Sequence, residues 1–294
     1  MSAGVWWLAS YPKSGNTWLR ALLSTLVSGK PADINRLSLL GGFAGSRSQF
    51  DNALGIDGAV LSRDQEANLR PRVFDIMAAQ AERALYCKAH DAYHLTPAGE
   101  PLFPASATRG AVYVVRDPRA VAVSLAHYMG QPIDVAIADM DNPEALSGGS
   151  TRRLSEHLRQ RLLRWSDHVE SWLGAPFPVH LLRYEDLQVD PHAALGAVAA
   201  FLGLPSDRAA IAAAVEAATF SRLQAQERES GFIEKPRRAA AFFREGRVDG
   251  WRQALSPQQA ARIVAAHGAV MRRLGYDGTL EALAAQERSC LPIG

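Results

Sequence analysis

The residues with the most chemistry lie near the start of this chain, in Ser10-Tyr11-Pro12-Lys13-Ser14-Gly15-Asn16-Thr17-Trp18-Leu19. An apolar stretch, Val5 to Ala9, precedes them and reads as a buried strand. Trp18, Leu19, Leu22, Leu23 and Leu26 follow at helical spacing, ended by Ser28-Gly29. A loop with a glycine, a lysine and several hydroxyls therefore opens a helix. Such a terminus attracts an anion, because unpaired N–H groups and the positive end of the helix dipole face it. The nucleoside-triphosphate loop, G-x-x-x-x-G-K-[ST], sets its lysine directly before the final Ser or Thr. Here Asn16 holds that place and the lysine precedes the glycine. As plain structure, the run is a polar strand-to-helix connection with Thr17 as a cap.

Other candidate groups follow predicted strands. Arg116 ends the strand Ala111 to Val115, and Ser124 lies eight residues on, in a helix from Pro118 to Met129 that Asp117 caps and Pro118 begins. A strand-end arginine grips phosphate in a forked geometry. The plainer reading is a weak surface pair of Arg116 with Asp117 and a solvated Ser124. His90 sits just past the strand Leu85 to Lys88, where a near-neutral pKa suits a proton acceptor; a lone histidine is otherwise core or surface filling. His94 is a nearby competitor. Arg183-Tyr184-Glu185-Asp186-Leu187 follows the strand Val179 to Leu182 and offers an aromatic face for a base, or simply a packing tyrosine.

The order Y-P-K-S-G-N-T-W-L resembles the 5′-phosphosulfate loop of the cytosolic-type sulfotransferases. Those enzymes take 3′-phosphoadenosine 5′-phosphosulfate (PAPS) as sulfuryl donor and release the bisphosphate PAP. The resemblance implies that Lys13, Ser14, Gly15, Asn16, Thr17 and Trp18 form the donor site, with Lys13 steadying charge on the departing phosphate oxygen. R-D-P-R-A-V-A-V-S resembles the family's 3′-phosphate motif and gives that role to Arg116 and Ser124. Lys88-Ala89-His90 matches a Lys-x-His whose histidine takes the acceptor proton, with Lys88 near the transferring group. Tyr184 matches the tyrosine that meets the adenine. Thr219 and Phe220 match the family's T-S-F adenine segment, although Ala218 has lost its first hydroxyl.

Phe242 to Arg252 resembles the C-terminal R-K-G-x-x-G-D-W-K segment, with Arg244, Gly246 and Trp251 in place. Glu245 stands where the family has a lysine, so at that position only a backbone contact carries over. Asp249-Gly250 swaps the G-D order, and Arg252 replaces the last lysine. Residues 225–250 are read as a lid over the cofactor and acceptor. The similarity runs in order from Tyr11 to Trp251. It implies a sulfotransferase acting on a hydroxyl, less readily an amine, of a small molecule, with no metal. The alternatives are a magnesium-dependent kinase-like phosphotransferase and a non-catalytic nucleotide-binding protein on the same fold. The short dimer motif of many animal relatives would fall near Arg252 to Ala261 and is not matched, so no oligomeric state is assigned.

The elements that must position these groups alternate between strand and helix. Strands at Val5–Ala9, Leu85–Lys88, Ala111–Val115 and Val179–Leu182 with intervening helices predict an α/β fold. It is a single domain, residues 1–294, with a central parallel sheet flanked by helices and a P-loop-like strand-loop-helix. Ser62 with Gln65 forms a capping box, and Pro71 should split the helix that follows before Arg83. Residues 30–61 and 130–151 read as irregular. Leu154, Leu158, Leu162, Trp165, Val169 and Trp172 predict one long amphipathic helix. Pro191 to Leu202, Ala209 to Ala218 and a helix opened by Ser256-Pro257-Gln258-Gln259 complete the pattern.

The 294 residues, 48% hydrophobic, suffice for a large core. A net charge of +2 argues against a general nucleic-acid binder. Cys87 and Cys290 are too few for a disulfide framework or a zinc site, which fits a reducing cytoplasm. No leader-like or membrane-spanning run is evident. The acceptor falls to the variable segments 30–61, 91–104, 130–151 and 225–243, with Phe43, Phe50, Tyr93, Phe103, Tyr128 and Phe232 each read equally as pocket lining or ordinary core.

Overall fold

The computed structural model describes residues 4–149, 155–236, 239–244 and 246–276. Its strands are β1 (Gly4–Ser10), β2 (Ala84–Ala89), β3 (Thr108–Val115), β4 (Leu146–Ser147), β5 (Gln160–Arg161) and β6 (Val179–Arg183). Between β1 and β2 run α1 (Asn16–Ser28), α2 (Arg47–Leu54) and α3 (Arg63–Gln80). After β3 come α4 (Pro118–Met129), α5 (Ile133–Met140) and α6 (Trp165–Leu173). After β6 come α7 (Tyr184–Val189), α8 (Pro191–Leu202), α9 (Arg208–Ala217), α10 (Phe220–Ser230), α11 (Trp251–Ala254) and α12 (Pro257–Arg273).

The central sheet has the order β2-β1-β3-β6, and all its pairings are parallel. Every residue of β1 is buried, because helices cover both faces. Strand alternation sorts the core. Val5, Trp7, Ala9, Cys87, Tyr113 and Val115 join Phe74, Trp165, Trp172 and Met271 on one side. Trp6, Leu8, Tyr86, Val112 and Val114 join Leu19, Leu22, Leu195 and Ile211 on the other. Trp7 and Trp172 are fully buried; truncating a tryptophan at such a place costs roughly 3–5 kcal/mol.

From β1 the chain goes first to β2 on one flank and later to β3 on the other. The carboxyl ends of β1 and β3 therefore straddle a switch point, where open α/β sheets hold ligands. The loop after β1, His90 after β2 and Arg116 after β3 all emerge at this end.

The helix starts follow from local chemistry. Ser62 and Gln65, and Ser256 and Gln259, close reciprocal capping boxes. Asp117 caps α4 with Pro118 in its first turn, as predicted. Other expectations are corrected. Pro71 does not split α3, which runs unbroken as Arg63–Gln80. Its buried flank (Arg70, Val73, Phe74) is held on the core, and Arg70 is paired with the buried Asp91, so tertiary contacts outweigh the proline's lost bond. Residues 30–61 hold α2, with Ser46 as its cap, and short 3-10 turns capped by Asp33 and Asp57. Residues 130–149 hold α5, which buries Ala136, Ile137 and Met140.

The long helix expected from Leu154 begins only at Trp165. Leu158 donates its N–H to Gly45 and Leu162 donates to Ala145, each at 2.8 Å, so distant partners draw this backbone into an extended path. Residue 154 itself lies outside the described residues. Among those described, no helix is long and apolar enough to cross a membrane.

Candidate active site

A cavity of about 210 Å³ opens at the carboxyl end of the sheet. Its floor is the loop between β1 and α1. Lys13 takes φ 70 and Gly15 φ 110, both left-handed, which turns the chain sharply into the helix. Gly15 is the N-cap of α1, and no side chain caps it. Trp18 and Leu19 donate their N–H groups back to the Gly15 carbonyl, which leaves those of Asn16 and Thr17 to face an anion. Gly15 is required sterically too, since a Cβ there would sit 2.6 Å from the Tyr184 ring. The Oγ of Ser14, Oδ1 of Asn16 and Nε of Arg20 and Arg116 are buried without a hydrogen-bond partner. Buried polar atoms are rarely left so; of these, the Ser14 hydroxyl and the Arg116 guanidinium are donors beside an uncapped helix start, which fits a phosphate-bearing ligand.

Lys13 aims its ammonium between two rings, 3.7 Å from the centre of Phe242 and 4.3 Å from that of Tyr128. Burial first, then the nearby charges of Lys88 and Arg116, bring its pKa down to about 7. Arg116 lies over the Tyr184 ring at 4.4 Å, and donates to the carbonyls of Lys13 (3.3 Å) and Arg247 (3.0 Å). The alternative pairing of Arg116 with Asp117 is not formed. Asp117 instead holds the buried Arg119 through both carboxylate oxygens, which leaves Arg116 to the cavity.

At the end of β2, Nδ1 of His90 lies 2.8 Å from the Ser10 carbonyl and 3.3 Å from Ser10 Oγ. Burial, then Lys88, holds the imidazole well below its ordinary pKa. Its own carbonyl faces Nε2 of His168 at 3.1 Å, and Nδ1 of His168 lies 2.8 Å from the Tyr113 hydroxyl. His94 turns instead to the Ala92 carbonyl and is absent from the cavity wall. Gly42, Phe43 and Ala44 run alongside the end of β2, exchanging backbone bonds with Lys88, and this lays Phe43 beneath the Lys88 ammonium.

Tyr184 packs edge-on to Trp18 and donates its hydroxyl to the Gly246 carbonyl at 3.0 Å. Phe220 closes against Gly246, whose φ is 65 and whose added Cβ would meet that ring at 2.8 Å. Ser124, Arg244 and Gly246 also line the wall. Thr219 caps the start of α10 without a capping side-chain bond and stands outside the lining. Glu245 lies outside the described residues. The segment 225–250, read from the sequence as a lid, begins inside α10. Its Glu227 accepts from the N–H groups of Phe242 and Phe243 and so fixes their approach to the cavity.

Of the candidate acceptor-lining aromatics, Phe43 and Tyr128 face the cavity. Phe50 and Phe103 are fully buried core, Phe232 packs on Phe242 and Phe243, and Tyr93 stacks near Phe103. Sequence reasoning passed over Glu234, His157 and Gln160, which also line it. No local motif marks them, because long-range chain paths bring them in.

A family profile described as "Sulfotransferase domain" matches residues 5–275. Human sulfotransferase 2B1 is 26% identical over 275 residues, which is 90% of this chain but only 65% of that protein's length. Flavonol 3-sulfotransferase of Flaveria bidentis is 23% identical over 271 residues, 87% of this chain and 78% of that protein. Among solved structures, a mouse sulfotransferase complexed with PAP superposes with a TM-score of 0.57 at 18% identity, over 92% of this chain and 85% of that one. Retinol dehydratase in complex with androsterone and PAP gives 0.61 at 18% identity, over 92% and 81%. These structures establish the shared parallel-sheet fold, and the profile spans nearly every strand and site loop described above. By that match and that fold, the chain belongs to the sulfotransferase family.

Proposed function

We propose that this chain moves the sulfuryl group of PAPS to a hydroxyl of a small-molecule acceptor by in-line displacement, with His90 as general base. The observation that carries this reading is the bond between His90 Nδ1 and the Ser10 carbonyl. It leaves Nε2 as the basic nitrogen, in the cavity that also holds Lys88 and the anion loop. Relatives named for flavonol and amine sulfotransfer support a small acceptor, the amine being the less favoured form.

When bound, PAPS supplies the sulfuryl group and a bisphosphate leaving group. Lys13, Ser14, Gly15, Asn16 and Thr17 hold its 5′ side through the loop N–H groups and hydroxyls. Arg116, Ser124 and Arg244, with the backbone of Gly246, read the 3′-phosphate. Trp18, Tyr184 and Phe220 frame the adenine. His90 accepts the acceptor's proton at Nε2. Lys13 neutralises charge developing on the leaving oxygen and Lys88 steadies the transferring group; preorganised donors of this kind are worth about 3–4 kcal/mol each. The segment 225–250 serves as the lid, since Glu234, Phe242 and Gly246 reach the cavity from it. The whole chain acts as one domain, with no metal in the reaction.

Calorimetric titration with PAP, 5′-AMP and Mg-ATP tests the reading. Micromolar PAP with much weaker 5′-AMP is expected, because only PAP carries the 3′-phosphate. Equal affinities would return the chain to the kinase-like or non-catalytic class. Turnover that survives chelation of divalent ions separates the proposal from the magnesium-dependent alternative.

A further inference from the structure

Glu234 is a carboxylate of the cavity wall that meets Lys88. It accepts from Lys88 Nζ at 2.8 Å, and with both oxygens from Arg20 at 2.8 Å. Arg20 is buried on α1, one turn past the anion loop, and also reaches Thr17 Oγ1 at 3.4 Å. A single carboxylate therefore ties the lid segment to α1 and to the end of β2. Burial alone would raise the pKa of Glu234, but Lys88 and Arg20 outweigh it and hold the group at about 2, so it stays anionic.

Lys88 needs such a partner. Its ammonium stands over the Phe43 ring at 4.8 Å on a flexible stem that does not aim itself. The charged and titratable groups around it are Arg20 on α1, Lys13 in the loop after β1, His90 beyond its own strand, His157 ahead of β5, and Glu234. Burial and Arg20 favour loss of the Lys88 proton, and Glu234 opposes them. Lysine is also scarce here. Of 32 basic residues only Lys13, Lys30, Lys88 and Lys235 are lysines, and the first and third line the cavity.

We propose that Glu234, anchored by Arg20, is a positioning residue that keeps the Lys88 ammonium charged and aimed into the cavity beside His90. This rests on the sulfotransferase reading above. Glu234 neither touches the reacting atoms nor carries the acceptor's proton; it acts through Lys88.

With four lysines, the chain suits titration by lysine 13Cε resonances, the Lys88 signal being assigned by its loss in Lys88→Arg. Glu234→Gln is expected to lower the Lys88 midpoint by a pH unit or more. Glu234→Asp, which keeps the charge, should lower it less. Arg20→Lys, which loosens the anchor, should shift it in between and stands in should Glu234→Gln not fold. PAP titration of each variant reports whether the site is intact. An unmoved or raised Lys88 midpoint in folded Glu234→Gln overturns the proposal. A wild-type chain with no preference for PAP over 5′-AMP removes the sulfotransferase reading itself, and this proposal with it. A PAP-selective wild type with an unmoved midpoint removes only the role of Glu234.

Discussion

The Ser10 carbonyl oxygen and His90 Nδ1 lie 2.8 Å apart, joining the end of β1 to the end of β2. A carbonyl only accepts, so Nδ1 carries the proton and Nε2 is left basic. His168 braces the other side of the same residue through its carbonyl. The tautomer that the proposed proton abstraction requires is thus set by backbone, at the point where two sheet strands end beside the loop after β1.

Removing that base should separate chemistry from binding. His90→Ala is expected to lower turnover by about two to four orders of magnitude while PAP affinity stays within a few-fold. Because burial and Lys88 depress the imidazole pKa, the acid limb of turnover should lie well below pH 6.5. Steady-state kinetics against pH and a PAP titration check both; wild-type turnover in the variant would take His90 out of the mechanism.

Lys13 should couple cofactor binding to protons. Free, it titrates at about 7, so above that pH it is largely neutral. A bound phosphate restores its charge. PAP affinity should therefore fall as pH rises from 7 to 9, by up to about tenfold per unit, with proton uptake visible as a dependence of binding enthalpy on the buffer. Binding that is pH-independent over that range, with no proton uptake, would contradict it. Lys13→Ala should weaken both binding and turnover.

Gly15 is a sharper probe of the loop than a polar residue, since both its φ of 110 and the Tyr184 ring oppose a side chain. Gly15→Ala should reduce PAP affinity at least tenfold. Gly29, with φ 67 but nothing within 4 Å, is the control: Gly29→Ala should cost stability of only about 1–2 kcal/mol and leave PAP affinity alone. Equal effects on affinity would remove the loop from the binding site.

Buried histidines should make the fold acid-sensitive. His168 and His267, desolvated by burial, titrate at about 4, and His90 also lies well below the usual value. Unfolded, each takes a proton near pH 6.5. Stability is thus complete above that pH and is lost as pH falls towards 4, by an amount on the order of 3 kcal/mol for His168. A melting temperature that drops between pH 7 and 5 is expected; a flat profile would contradict it.

Parts of the fold were legible because their causes are local. Ser62 with Gln65, Ser256 with Gln259, and Asp117 with Pro118 satisfy helix starts within a few residues, so side-chain type reveals them. The helix α5 was equally local, its Ile133, Ala136, Ile137 and Met140 repeating at helical spacing, but the neighbouring glycines and prolines masked it. Leu158 and Leu162 misled for the opposite reason: their spacing is helical, yet their N–H groups answer to Gly45 and Ala145, far away in sequence. Pro71 stays helical because the buried side of α3, with Arg70 on Asp91, overrides a rule that holds for isolated helices.

By itself the sequence determined the strand-loop-helix of Lys13 to Trp18, the strand-end places of His90 and Arg116, and through them the family. Each is a matter of residue type next to a strand or a helix start. Only the tertiary structure decided which charges meet. Asp117 chose Arg119 over Arg116, and Glu234 crossed from the segment after α10 to Arg20 and Lys88. Lys13 came to rest between Tyr128 and Phe242. Such pairings, and the pKa values that follow, depend on burial and on distances between remote segments, which spacing along the chain does not encode.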